Sequence, residues 1–136
     1  MWFERLKVIR FHHCDPAAII FYPQYFVLFH EVMEDWFGEA LATNYGEYIR
    51  TARLGVPAVK AECEFLSQAK LGDTVTFRIE PVRLGKASLE LEGEARDGEE
   101  LRARARITVV QMSLETRKSV PFEEPLRGRI ETFLRR

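Results

Sequence analysis

The sequence predicts an α+β fold in which one apolar helix packs against a five-stranded antiparallel sheet. Two features carry that expectation. Between Gln24 and about Leu41, apolar residues recur at intervals of three and four, the spacing of one helix face. Outside that stretch, residues 3–11, 58–66, 73–80, 87–95 and 101–109 alternate apolar and polar side chains, the period of a half-buried strand. A lone helix followed by a run of strands is an α+β pattern, and this helix is the one apolar partner available to the sheet.

The first strand puts Phe3, Ile9 and Phe11 on one face and Leu6 and Val8 on the other. Cys14-Asp15-Pro16 ends the alternation, because proline biases the residue before it away from helical geometry. Pro23 stands where a proline can open a helix. Phe26, Phe29, Met33, Trp36, Phe37 and Ala40 then form the helical stripe, and Tyr25, Val27 and Leu28 widen it in the first turns to nearly the whole circumference. A helix apolar all round is expected to be buried on most sides.

A shorter helix is expected over Tyr45 to Arg53, stopping at Gly55 and Pro57. In the strands beyond it, Val59, Ala61, Cys63 and Phe65 alternate with Lys60, Glu62 and Glu64, and Val75, Phe77 and Ile79 with Thr74, Thr76 and Arg78. Leu71-Gly72-Asp73, Leu84-Gly85-Lys86 and Asp97-Gly98 join the segments, as in an antiparallel sheet with one solvated face. Residues 123–136 form a candidate amphipathic helix, basic at its end.

Charge constrains the register of the last hairpin. Glu90, Glu92 and Glu94 share one strand face, and Arg102, Arg104 and Arg106 share one on the next strand. A two-residue turn at Asp97-Gly98 would pair Glu92 with Ala103 and bring charge beside the core face, since a one-residue slip flips every side chain. A three- or five-residue loop is therefore expected, despite the familiar Asp-Gly turn signal.

The 136 residues are expected to form one domain, residues 1–136. The 46% hydrophobic and 30% charged residues are those of a globular chain rather than a disordered one. A net charge of −1 lacks the basic excess of a dedicated nucleic-acid binder. Cys14 and Cys63 match no zinc or redox spacing, and reduced thiols in the cytoplasm are the simplest expectation. The amino-terminal Met-Trp-Phe-Glu-Arg has neither the basic start nor the apolar run of a signal peptide, and the apolar run over residues 16–23 is too short to cross a bilayer.

Residues 10–25 read Arg-Phe-His-His-Cys-Asp-Pro-Ala-Ala-Ile-Ile-Phe-Tyr-Pro-Gln-Tyr. This stretch resembles the signature of the 4-hydroxybenzoyl-CoA thioesterase family: a strand ending in an aromatic residue, Cys-Asp-Pro-Ala, an apolar pair, an aromatic pair and Pro-x-Tyr. Phe65, then Leu71-Gly72-Asp73, then Gly85-Lys86-Ala87-Ser88 follow in the same order, so the resemblance runs over about residues 3–120. It implies a hotdog fold, a long central helix wrapped by the antiparallel sheet, with active sites shared between two subunits. The chain is accordingly expected to be a homo-oligomer, a dimer at minimum and a tetramer built of two dimers.

The resemblance implies hydrolysis of an acyl-CoA thioester, with coenzyme A as part of the substrate and no separate cofactor. It places the catalytic carboxylate at Asp15, either attacking the thioester carbon or activating water, and polarises the thioester oxygen with the backbone N–H of Tyr22. Elementary chemistry agrees. A helix N-terminus offers unpaired N–H groups and about half a positive charge to a developing oxyanion. A carboxylate nucleophile needs no histidine partner to be charged. Pro23 matches the aryl-CoA branch of the family, where other branches often carry histidine, and Tyr25 closes the motif. Arg83 and Lys86 flank Gly85 where the family often places basic residues near the nucleotide; equally, they fit solvated charge at a turn.

Each candidate also has a plainer role. Asp15 is a natural turn residue before proline. His13 stands where the family often has an acidic residue, and capping the strand suits it better than tuning Asp15. His12, His13, Cys14 and Asp15 are not expected to hold a metal, because consecutive residues on an extended chain point to opposite sides and no distant cluster completes a site. His30 and Glu31 fit the polar edge of a packed helix, although some hotdog enzymes use a helical glutamate. The acyl group is expected to be aromatic or a short to medium fatty chain, on coenzyme A or on an acyl-carrier protein. A non-catalytic acyl-CoA-binding module and a hotdog dehydratase, which relies on a histidine with an acidic partner, are the rival functions.

Overall fold

The computed structural model describes residues 1–136. A five-stranded antiparallel sheet contains β1 (Phe3–Val8), β3 (Ala58–Phe65), β4 (Thr74–Leu84), β5 (Ser88–Asp97) and β6 (Glu100–Val110), in the spatial order β1-β4-β5-β6-β3. A short pair, β2 (Leu54–Gly55) with β7 (Met112–Ser113), was not expected from the sequence. Helix α1 covers Gln24–Asp35 and continues as a wider π turn over Trp36–Ala40, 17 residues in all. Helices α2 (Tyr45–Arg50) and α3 (Leu126–Phe133) are shorter than the stretches expected for them.

Helix α1 buries Tyr25, Leu28, Phe29, Val32 and Met33, and the π turn adds Trp36 and Phe37. These residues recur at three and four and lie on the apolar face of the sheet with Val75, Phe77, Ile79, Leu89 and Leu91. Each large side chain removed from water in this way contributes about 1.5–3 kcal/mol before the entropy of ordering is counted. The first turns are not covered on every side, however: Val27, on the side of the helix opposite the buried stripe, is exposed. The helix ends where the Leu41 N–H donates to the Trp36 carbonyl at 3.0 Å and Ala42 turns the chain at φ 49°. Asn44 then caps α2, its Oδ1 accepting the Glu47 N–H at 2.9 Å.

Strand β1 is shorter than expected. Phe11 does not continue its inward face but lies in a 3-10 turn over Phe11–His13, 82% exposed. The inward face instead carries Arg5 and Lys7, which meet Asp35, Glu39 and Glu31 of the helix; Lys7 Nζ is 2.8 Å from Glu31 Oε1. In β3 the alternation fails at Val59, where a bulge between Ala58 and Lys60 leaves that side chain in solvent.

The β5–β6 loop corrects the expected length while keeping the expected pairing. Asp97 pairs with Glu100, so the loop is the two residues Gly98 and Glu99, and Gly98 supplies the positive φ (60°) that the turn requires. The parity is restored by a bulge: Arg96 pairs with Leu101 but Ala95 pairs with Ala103, leaving Arg102 as the extra residue. Glu92 therefore faces Arg106, and Glu94 faces Arg104.

That face is not fully solvated as expected. Glu94 is only 4% exposed, with Arg78 Nε at 2.9 Å and Arg96 Nε at 3.0 Å from its Oε1. Burial would raise the Glu94 carboxyl, but hydrogen bonds from Arg96 and Arg78 outweigh it and hold the group below the ordinary glutamate value. Arg135 similarly joins Glu80 at 2.6 Å to Glu92 at 3.2 Å, drawing the end of the chain over the sheet.

Helix and sheet approach closely at Gly93, where an added Cβ would lie 2.7 Å from Phe29 Cε1 and 2.9 Å from its Cδ1. Gly93→Ala is expected to destabilise the fold by about 1–3 kcal/mol through overpacking, and Phe29→Leu in the same chain to recover part of that. Urea unfolding of the single and double variants measures both. Wild-type stability in Gly93→Ala would show that the helix can move off the sheet at no cost.

Candidate active site at the start of helix α1

Asp15 stands at the end of a small hairpin between β1 and α1. Cys14 bridges Ile20, the Asp15 N–H donates to the Ile19 carbonyl at 2.9 Å, and Ile19 bridges Lys70 in the loop before β4. The turn closes through the Ala18 N–H on the Asp15 carbonyl at 3.0 Å and the Ala17 N–H on Asp15 Oδ1 at 2.8 Å. Asp15 thus does shape a turn; the residue is half-buried, and its Oδ2 makes no hydrogen bond within the chain. Ala18 holds the left-handed backbone at φ 61°, a strain on the order of 1 kcal/mol placed beside the carboxylate.

The hairpin returns the chain to α1. The Phe21 N–H donates to the His13 carbonyl at 2.9 Å, and the Gln24 N–H to the Phe21 carbonyl at 2.9 Å. Between them the Tyr22 N–H has no acceptor in the chain, and Pro23 has no N–H to offer. One unpaired donor therefore remains at the positive end of the helix, on the strand returning from Asp15.

The Tyr22 ring is exposed and meets Phe65 edge-on at 5.8 Å. With Ile19, Ile20, Tyr25 and Leu66 it lines a cleft of about 290 Å³. Tyr25 is 2% exposed, and its hydroxyl makes no hydrogen bond of ordinary geometry, the Ala69 backbone coming nearest to one. Burial, then the neighbouring Cys63, push its phenol up. Arg102, the bulged residue of β6, braces the loop beside the cleft by bonding the Gln68 carbonyl and, at 2.8 Å, Asp97. Sequence reasoning missed Arg102 in this role, and only the unmatched parity of the charged faces pointed to an irregularity there.

A second cavity of about 310 Å³ lies between α1 and the sheet, lined by Phe26, Phe29, Met33, Leu91 and Ile107 among others. His30 is the one polar side chain in its lining, and exposed Ala58 and Ala61 of β3 stand at its mouth. His30 Nε2 is 3.4 Å from Glu34 Oε2, while Glu31 is turned to Lys7. Alternation identifies the inward residues of each strand, but which of them surround one cavity follows only from strand order.

The structure brings Asp15, Tyr22, Pro23 and Tyr25 together and leaves Arg83 and Lys86 apart. Val8 pairs with Thr74, so the Asp15 hairpin adjoins the start of β4. Arg83 and Lys86 lie at the other end of that strand, on the order of 33 Å away by the usual strand rise. Both are exposed, and neither side chain has an ion-pair partner.

The sequence model of the thioesterase-like superfamily matches residues 9–130. A 1,4-dihydroxy-2-naphthoyl-CoA hydrolase from Nostoc punctiforme is 24% identical over 125 residues, which cover 90% of this chain and 84% of that protein. Among solved structures, a 1,4-dihydroxy-2-naphthoyl-CoA thioesterase from Synechocystis superposes with a TM-score of 0.86 at 22% identity, covering 96% of each chain. A gentisyl-coenzyme A thioesterase superposes with a TM-score of 0.85 at 24% identity, over 93% of this chain and 98% of that one.

Tyr25→Phe removes a buried hydroxyl that lacks a good partner. The change is expected to leave stability unchanged or to raise it by up to about 1 kcal/mol. Denaturant unfolding measures this, and a clear loss of stability would show that the hydroxyl is satisfied in solution.

Proposed function

The chain belongs to the thioesterase-like superfamily, and from that membership we propose that it hydrolyses an acyl-CoA thioester with Asp15 as the working carboxylate. The observation that carries the assignment is the pairing of two unsatisfied groups on one hairpin: Asp15 Oδ2 and the Tyr22 N–H. A thioester oxygen seated on the Tyr22 N–H gains negative charge in the transition state, where that donor and the helix dipole stabilise it most. Asp15 then attacks the thioester carbon, expelling the coenzyme A thiolate and leaving an anhydride that water opens. In the alternative route, Asp15 takes a proton from water as that water attacks. Both routes yield a carboxylic acid and free coenzyme A.

The acyl group fits the apolar cavity beneath α1, large enough for an aromatic ring system or a short to medium chain. The names of the relatives favour a hydroxylated aryl group, and Pro23 agrees with that branch. Two reduced thiols, Cys14 and Cys63, suit a cytoplasmic enzyme. No helix is long and apolar enough to cross a membrane.

We further assign the working form to a homodimer, with pairs of dimers forming a tetramer. The two sheet edges differ in how they are guarded. Beneath β1, Arg5 and Lys7 point inward to helix carboxylates, a pattern that discourages further strand addition. Strand β3 exposes Val59 and Phe65, and the cavity opens beside it. Antiparallel pairing of two β3 strands would set the Arg83 and Lys86 end of one protomer beside the Asp15 end of its partner, within reach of the nucleotide phosphates.

Asp15→Asn keeps the size and turn-forming capacity of the side chain but can act neither as nucleophile nor as base. Turnover is expected to fall at least about a hundredfold while binding of a non-hydrolysable acyl-CoA analogue persists. Thiol release from a panel of acyl-CoAs, with and without the substitution, is the measurement. Retained turnover in Asp15→Asn rejects the assignment; binding without thiol release in the wild type points instead to a non-catalytic acyl-CoA-binding module. Separately, sedimentation is expected to find a dimer or larger, and a stable, fully active monomer rejects the shared site.

A further inference from the structure

We propose that His13 is a positioning residue, whose ring holds the turn before Asp15 and whose main chain ties that turn to the segment carrying Tyr22. The proposal rests on the thioesterase function above, and its evidence is geometric. His13 Nδ1 accepts the Arg10 N–H at 2.9 Å, and the His13 N–H donates to the Arg10 carbonyl at 3.0 Å. The turn is therefore closed from both sides, and Cys14 Sγ adds a weak bond to the same Arg10 carbonyl at 3.4 Å. The His13 carbonyl accepts the Phe21 N–H at 2.9 Å. One residue thus lies two positions before the carboxylate and is bonded to the neighbour of the proposed oxyanion donor.

The ring works in this way only when neutral. With Nδ1 as acceptor, its single proton resides on Nε2, and a second proton on Nδ1 would face the Arg10 N–H, donor against donor. The surroundings oppose that second proton. Burial acts first, the ring being 5% exposed, and the His12 ring at 4.0 Å adds to it. Arg10 and Lys7 of the β1 segment act in the same direction; Glu31 of α1 acts against them but is engaged by Lys7.

The imidazole is accordingly held below the ordinary histidine value of 6.5. The unfolded chain takes up that proton more readily, so this contribution to stability is complete above about pH 6.5 and is lost as pH falls toward the folded-state value. On the same descent the Arg10–His13 bond opens and Asp15 and Tyr22 lose their alignment.

His13→Asn and His13→Leu test this. Asparagine can place an amide oxygen where Nδ1 stands but does not titrate, whereas leucine offers no acceptor. His13→Asn is expected to keep kcat within about threefold of wild type at pH 8 and to shift the acid limb of the kcat profile down by about one pH unit or more. His13→Leu is expected to lose at least about tenfold in kcat at every pH with KM little changed, as for a misplaced reactive group. An acid limb in His13→Asn that coincides with wild type overturns the proposal, as does a folded His13→Leu with wild-type kcat. If His13→Leu fails to fold, the asparagine profile alone decides. If the wild type cleaves no thioester, the proposed function fails, and melting temperature between pH 5 and 8 still judges His13: the asparagine variant must lose the wild type's decline below pH 6.5.

Discussion

The contact on which the arrangement depends is the seating of Phe29 against the bare backbone of Gly93. No side chain stands between helix and sheet there, so α1 approaches closely enough for Phe29 and Phe77 to meet edge-on at 5.1 Å. Closely packed interiors resist small displacements, and a helix held this way has a fixed start as well as a fixed face. Its start is where the Tyr22 N–H is left unpaired. The helix start is thus placed by an apolar contact two turns further along, and the hydrogen bonds of the hairpin then set Asp15 against it.

Polar bonds have a different distribution. On the outer face of the sheet nearly every charge is matched, and Glu94 is enclosed by guanidinium groups to the point of burial. At the hairpin, by contrast, Asp15 Oδ2, the Tyr22 N–H and the Tyr25 hydroxyl are left without good partners. Of these only the Tyr25 hydroxyl is buried, at a cost on the order of 1–3 kcal/mol, and such a cost is tolerated where the surrounding fold is strong enough to offset it. The paired outer face and the apolar core supply that strength. His13 belongs to the boundary between these two regimes, bonded through Nδ1, its N–H and its carbonyl and holding the unbonded groups in place.

Much of this was legible in the sequence because it is set by neighbours along the chain. The periods of three to four and of two identified α1 and the five main strands, and Asp15-Pro16 announced a turn. The amphipathic spacing also foretold the core side of β4, with Val75, Phe77 and Ile79 buried, but not of the edge strands β1 and β3. Where the local pattern misled, a specific long-range term had intervened. Phe11 reads as the continuation of a strand face, yet His13 turns the chain with its own side chain before that face can extend. Val27 reads as buried, but covering it would require chain that the fold does not provide.

The sequence by itself determined helix α1, the five main strands and the turn at Asp15-Pro16, because these depend on backbone preferences and spacing over a few residues. Only the tertiary structure decided how the charge pattern and the Asp-Gly turn are reconciled: the two-residue loop stays, and Arg102 bulges so that each glutamate still meets an arginine. It also decided that Glu94 is buried, that Tyr25 lacks a partner for its hydroxyl, and that Arg83 and Lys86 stand a strand's length from Asp15. Each of these depends on which distant segments become neighbours, and that is settled by strand order and close packing, which spacing along one chain does not encode.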